Sequence, residues 1–197
     1  VNRRRILGGV TYQGATLIEP GRIKWGGRGL TRLGLLEPPQ MADATVSQII
    51  EMFNEAGIET VWEADIQRAV WEKLLINAGI NALTALLGVK NGALLLDKHL
   101  NEIMRAAASE AVLVAQKLGF DFALEGIIKK TESVCQQTAE NLSSMLQDVQ
   151  RGKQTEIDYI NGAIVKEAER LGIPTPLNRL LTLMVKQGTL SQAARRV

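Results

Sequence analysis

The 197 residues carry 23 basic and 21 acidic side chains, a net charge of +2, with 46% hydrophobic and 22% charged residues. That balance fits a soluble globular chain long enough to bury a core, and it gives no reason to expect nucleic acid as a partner. A lone cysteine, Cys135, excludes an intrachain disulfide, and a lone histidine, His99, argues against a histidine-based metal cluster.

The start, Val1-Asn2-Arg3-Arg4-Arg5, is basic, but no long apolar signal core follows it. No apolar run approaches the roughly 18 residues of a membrane span. A cytoplasmic, reducing setting without membrane contact is therefore expected. The absence of an initiator methionine is compatible with processing or with an incomplete chain.

The first 40 residues are rich in glycine and β-forming side chains. Ile6-Leu7, Val10-Thr11-Tyr12, Thr16-Leu17-Ile18 and Arg22-Ile23-Lys24-Trp25 read as short strands, separated by Gly8-Gly9, Gly14, Pro20-Gly21 and Gly26-Gly27. Pro20-Gly21 predicts a hairpin turn, and Pro38-Pro39 breaks the pattern. Apolar residues at helical spacing predict a helix over 45–56, stopped by Gly57, and a strand over 58–62. Strand, helix and strand in this order resemble the closing unit of an α/β sheet.

After Glu63 the pattern becomes helical. Asp65 is placed as an N-cap for a helix over 66–87, and a glycine-containing link spans 88–92. Further helices are predicted over 97–118, 124–130, 133–149, 154–171 and 176–186. The division expected is an α/β remnant over 1–63 and an all-helical domain over 64–197. No G-x-G-x-x-G is present: Gly27 and Gly29 begin one, but Arg32 stands where the last glycine would be. A dinucleotide domain cannot seat a pyrophosphate in the usual way without that turn.

The most informative local feature lies in the apolar helix after Trp71. Lys73, Asn77 and Asn81 are spaced i, i+4, i+8, which puts them within an arc of about 80° on one face. A buried amide without partners costs on the order of 1–3 kcal/mol, and a buried ammonium costs more. The stripe therefore suits a polar cleft or ligand. The plainer alternative is that the asparagines bridge to neighbouring elements and the lysine points at water. Gly79 allows close approach by another helix or a ligand. Farther on, Glu156 stands beside the stripe Ile157, Ile160 and Ile164, where it could be a first-turn or capping acid. Ser143 and Ser144 have no nucleophile-elbow context and do not suggest a hydrolase.

Four ordered segments resemble the ketopantoate reductase (2-dehydropantoate 2-reductase) family. They are Trp71-Glu72-Lys73-Leu74-Leu75-Ile76-Asn77 through Asn81-Ala82-Leu83-Thr84; Lys90-Asn91-Gly92; Ser143-Ser144-Met145-Leu146-Gln147-Asp148 with Thr155-Glu156-Ile157-Asp158-Tyr159-Ile160-Asn161-Gly162; and Ile173-Pro174-Thr175-Pro176-Leu177-Asn178. The resemblance runs from about residue 5 to residue 186. It implies the end of a Rossmann-type NADP-binding domain followed by an all-α domain of the 6-phosphogluconate dehydrogenase type. The implied activity is NADPH-dependent reduction of ketopantoate to pantoate, on the route to pantothenate and coenzyme A.

By the same resemblance Lys73 is the catalytic lysine, and with Asn77, Asn81, Asn91 and Ser144 it binds substrate. Glu156 serves catalysis and contacts the cofactor, and Ala15 lies where the backbone approaches the cofactor. The chemistry agrees: an ammonium can stabilise and protonate the oxygen on which hydride transfer builds charge. Amides can both donate to and accept from a hydroxylated keto acid. A homodimer is the candidate assembly. The chain departs from the family in lacking the glycine-rich nucleotide turn, so residues 1–197 alone are expected to be inactive and to bind NADPH poorly. The competing readings are a reductase of another 2-oxo acid and a non-catalytic helical dimerisation or binding module.

Overall fold

The computed structural model describes residues 6–27, 29–37 and 43–194. The basic start and the Pro38-Pro39 break fall outside them. The chain divides into two compact units, Val1–Lys73 and Leu74–Val197.

In the first unit, β1 (Leu7–Thr11), β4 (Thr31–Leu35) and β5 (Thr60–Trp62) form a sheet in the order β1-β4-β5. β1 runs antiparallel to β4, from Leu7 opposite Leu35 to Thr11 opposite Thr31, and β4 runs parallel to β5. The crossover between the parallel pair is α1 (Asp43–Glu55). Asn54 ties α1 to β5: its amide donates to the Thr60 carbonyl at 2.9 Å and accepts from the Thr60 N–H at 2.9 Å. β2 (Gly14–Glu19) and β3 (Arg22–Gly27) form a separate hairpin. Its turn is the expected Pro20-Gly21, with Gly21 at φ 82°, the left-handed value that the second central residue of a type II turn requires.

Two expectations change here. Gly8-Gly9 does not break the first strand; β1 runs through both. β4 was not expected, because Arg32 and Gly34 dilute its β signal, yet it is the centre of the sheet. Gly34 is there for lack of room: a Cβ would lie 2.2 Å from the Glu63 carbonyl oxygen and 2.7 Å from Ile66 Cβ. Gly34→Ala is therefore expected to cost about 2–3 kcal/mol, through a backbone shift that no rotamer change can avoid. A urea titration should show a lower midpoint with little change in slope.

α2 (Ile66–Leu87) matches the predicted span, and Asp65 caps it, accepting the Arg68 N–H at 3.0 Å. The second unit holds the rest of α2 and six further helices: α3 (Ala93–Leu96), α4 (Lys98–Lys117), α5 (Leu124–Gln137), α6 (Ser144–Arg151), α7 (Asn161–Leu171) and α8 (Pro176–Ala194). A 3₁₀ turn, Ile157–Tyr159, precedes α7.

α4 is the axis of this unit, in contact with α3, α5, α7 and α8. Its buried face is made largely of Ala107, Ala108, Ala111 and Ala115. Gly79 of α2 lies against the same helix: a Cβ there would meet the Met104 carbonyl oxygen at 3.2 Å and Thr131 Cγ2 at 3.3 Å. Helix packing, rather than a ligand, accounts for this glycine. Among the described residues no helix is long and apolar enough to cross a membrane.

The helices expected over 124–130 and 133–149 are drawn differently. α5 is continuous through 131, because the buried Thr131 hydroxyl bonds back to the Ile127 carbonyl at 2.8 Å and so follows the helix path. The break falls at 138–143. The helix expected over 154–171 is likewise interrupted at Ile160, whose φ −108° and ψ −95° are not helical.

Candidate active-site residues

α2 carries Lys73, Asn77 and Asn81 on one face. Lys73 belongs to the first unit, where its ammonium donates to the Thr11 carbonyl oxygen at 2.8 Å and stands 5.7 Å from the centre of the Tyr12 ring. One of its three N–H bonds is thus fixed by the end of β1, and the ring face adds cation–π attraction. Burial, with the nearby Glu72 carboxylate, pushes the Tyr12 phenol above its ordinary pKa, so the ring stays neutral beside the ammonium. Ala15 is exposed on β2. The hairpin register slips between Gly14 and Ala15, so the backbone there leaves the regular ladder.

The remaining candidates lie in the second unit. Asn81 is only 5% exposed, and neither its amide oxygen nor its amide nitrogen hydrogen-bonds another described residue. Asn77 is half-buried and likewise has no described side-chain bond. These two amides therefore do not bridge to neighbouring helices, which was the plainer reading of them.

Asn91 is different. It is buried, its side-chain nitrogen donates to Thr138 Oγ1 at 2.9 Å, and its side-chain oxygen is buried without a partner. Its backbone N–H donates to the Asn141 carbonyl at 3.0 Å, and that of Gly92 to the Ala139 carbonyl at 3.1 Å. Asn91 and Gly92 thereby stitch down the 138–143 loop that leads into α6.

Ser143 and Ser144 divide their roles. Ser143 is buried and caps α6, accepting the Leu146 N–H at 3.1 Å. Ser144, the first residue of α6, is exposed. Glu156 is also exposed, and its side chain caps nothing, so the capping reading is not what the structure shows. Hydrogen bonds link Asn91 to the loop before Ser144 and, through Thr84, link Ser143 to the Asn81 turn. No described bond joins Glu156 to any of them.

Sequence reasoning passed over Thr11, which holds Lys73, and Thr84 and Ser143, whose hydroxyls lie 2.7 Å apart. Only the position of Thr84, three residues after Asn81 on the same helix, hinted at its place. A cavity of about 530 Å³ in the first unit, lined by Leu35, Leu36, Val46, Ile50, Trp62 and Ile66 among others, contains none of the candidate residues. Among the described residues no group of histidine, cysteine and carboxylate side chains could hold a metal ion. Cys135 is buried, and desolvation together with Glu132 pushes its thiol up to about 12, so it is not a ready nucleophile.

Comparison with known proteins agrees with this architecture. Residues 65–189 match the family model "Ketopantoate reductase PanE/ApbA C terminal". The chain is similar to the 2-dehydropantoate 2-reductases of Archaeoglobus fulgidus, 40% identical over 93% of this chain and 60% of that protein, and of Pyrococcus horikoshii, 40% identical over 92% and 60%. It spans about three-fifths of the length of these curated relatives. Among solved structures, D-mandelate dehydrogenase in a ternary structure with NADH and anilino(oxo)acetate superposes with a TM-score of 0.90. It is 26% identical and is covered over 97% of this chain and 62% of its own. The short strands with their crossover helix are the remnant of a Rossmann-type domain, and the helices after them are the family's C-terminal domain. The chain belongs to the ketopantoate reductase family.

Proposed function

We propose that this chain supplies the substrate half of an NADPH-dependent 2-dehydropantoate 2-reductase, which reduces ketopantoate to pantoate for pantothenate and coenzyme A synthesis. The observation that carries the reading is the α2 stripe. Asn81, at 5% exposure, and Asn77 bond no other described side chain or backbone group, and both share a face with Lys73. Neither amide is among the buried atoms left without a partner, so both reach open surface and are free to donate to and accept from a polar ligand.

In this reading the Lys73 ammonium, oriented by the Thr11 carbonyl, stabilises charge on the keto oxygen and supplies its proton. Asn77, Asn81, Asn91 and Ser144 hold the substrate's carboxylate and hydroxyl groups. The unpartnered Asn91 side-chain oxygen would accept a hydroxyl. Glu156, exposed and uncommitted to capping, would orient the lysine or accept the substrate hydroxyl. The dinucleotide supplies the hydride when bound.

The backbone at the Gly14–Ala15 irregularity in the first unit and Glu156 in the second are the two proposed cofactor contacts. Residues 1–197 contain no G-x-G-x-x-G turn, the usual seat of a pyrophosphate. The proposed division lies at 63/64, and a cytoplasmic homodimer is part of the same proposal.

A second reading, a reductase of a different 2-oxo acid, is favoured by the likeness to D-mandelate dehydrogenase, whose ternary structure contains anilino(oxo)acetate. A steady-state panel of ketopantoate, benzoylformate and other 2-oxo acids with NADPH and NADH tests both. Preference for ketopantoate with NADPH is expected for the full-length protein, and residues 1–197 alone are expected to show no turnover. Preference for an aryl oxo acid would replace the first reading with the second.

A further inference from the structure

We infer that Thr84 and Ser143 are positioning residues of the oxo-acid site, joining the Asn81 turn of α2 to the start of α6 through hydrogen bonds that meet at the Ser143 hydroxyl. The inference rests on the function proposed above and adds residues that the resemblance does not assign.

Thr84 Oγ1 is fully buried and lies 2.7 Å from Ser143 Oγ, 3.0 Å from the Ile80 carbonyl oxygen and 3.1 Å from the Asn81 carbonyl oxygen. The Thr84 hydroxyl donates to Ser143 Oγ, which also accepts the Leu146 N–H at 3.1 Å. The same hydroxyl stands within donating distance of the two carbonyls of its own helix. Ser143 Oγ is thus the acceptor that ties α2 to the first turn of α6, and a buried oxygen that loses a donor is left short of a partner.

The ends of this link decide its use. One end is the backbone of Asn81, whose side-chain amide bonds no described residue. The other is the first turn of α6, whose opening residue is the exposed Ser144. The two candidate substrate contacts, 63 positions apart in sequence (144 − 81), are thus separated by two buried hydroxyls. On the far side of the same loop, Asn91 and Gly92 hold Thr138, Ala139 and Asn141. The loop is pinned at both ends, and the Thr84–Ser143 pair is the pin nearest Ser144.

Thr84→Val keeps the side-chain shape and apolar bulk but removes the hydroxyl, whereas Thr84→Ser keeps the hydroxyl. In the full-length protein, assayed with ketopantoate and NADPH, Thr84→Val is expected to raise KM for ketopantoate about ten-fold, with KM for NADPH within about two-fold of wild type. Thr84→Ser should restore the ketopantoate KM. Hydrogen exchange at the Leu146 amide should quicken in Thr84→Val while the α4 amides stay protected. An unchanged ketopantoate KM in Thr84→Val, alongside a lowered melting temperature, would reduce the pair to a packing feature and overturn the inference. A wild-type protein that neither binds nor reduces any 2-oxo acid would overturn the proposed function first, and this role with it.

Discussion

Lys73→Ala in the full-length protein is expected to lower turnover by a factor on the order of 10²–10⁴, the scale on which a positioned acid–base group acts. The substitution removes the ammonium that Thr11 orients at 2.8 Å and leaves the Thr11 carbonyl to solvent. Lys73 is partly exposed, so folding should be little affected and the loss should appear in kcat rather than in the melting curve. Lys73→Arg is the sharper variant. A guanidinium keeps the charge but does not release a proton near neutral pH, so it should retain substrate affinity better than alanine while remaining slow. If stopped-flow measurements show hydride transfer at the wild-type rate in Lys73→Ala, the lysine is not the proton donor. The non-catalytic reading of the helical domain would then gain ground.

The second large effect is on stability. Asn178 is fully buried at the start of α8, and its side-chain nitrogen donates to the Ala107 carbonyl at 2.9 Å and to Glu110 Oε2 at 2.7 Å. Its side-chain oxygen accepts from Asn161 at 2.9 Å, and Asn161 in turn donates to the Ala78 carbonyl at 2.9 Å. Glu110 also accepts the backbone N–H groups of Leu177 and Asn178, each at 2.9 Å. One amide thus connects α4, α7 and α8, with α2 one bond farther on.

Asn178→Ala removes three of these bonds at once and strands a buried carbonyl and a buried amide hydrogen. A loss of about 3 kcal/mol is expected, a large share of an ordinary domain's stability. Equilibrium urea unfolding would show it. A loss under about 1 kcal/mol would mean that water enters and replaces the amide.

How much of this was legible in the sequence depended on whether the cause was local. The boundaries of α2 are legible because the apolar rhythm lies within the helix and Asp65 and Gly88 immediately flank it. The hairpin turn was legible for the same reason, since Pro20-Gly21 suffices to make it. The expected split between 130 and 133 differs from the structure, where the buried Thr131 hydroxyl bonds back to the Ile127 carbonyl and stays in the helix. The real break at 138–143 is set by Asn91 and Gly92, some 47 residues earlier, which no local window contains.

The site divides in the same way. The stripe of Lys73, Asn77 and Asn81 could be read from helical spacing alone. What holds it could not: Thr11 is 62 residues from Lys73, and Ser143 is 59 from Thr84. β4 was missed because its glycine answers to the Glu63 backbone and the Ile66 side chain, not to strand propensity.

The alanine-lined face of α4 bears on how this domain can change over evolutionary time. Ala107, Ala108, Ala111 and Ala115 are each fully enclosed, so a longer side chain at any of them would have to displace its neighbours. Drift on that face should be confined to residues of serine size or smaller. The outward positions of the same helix, such as Leu113 at 52% exposure, are open to nearly any replacement. Lineages of this domain should therefore diverge as a shell around an almost unchanging rod.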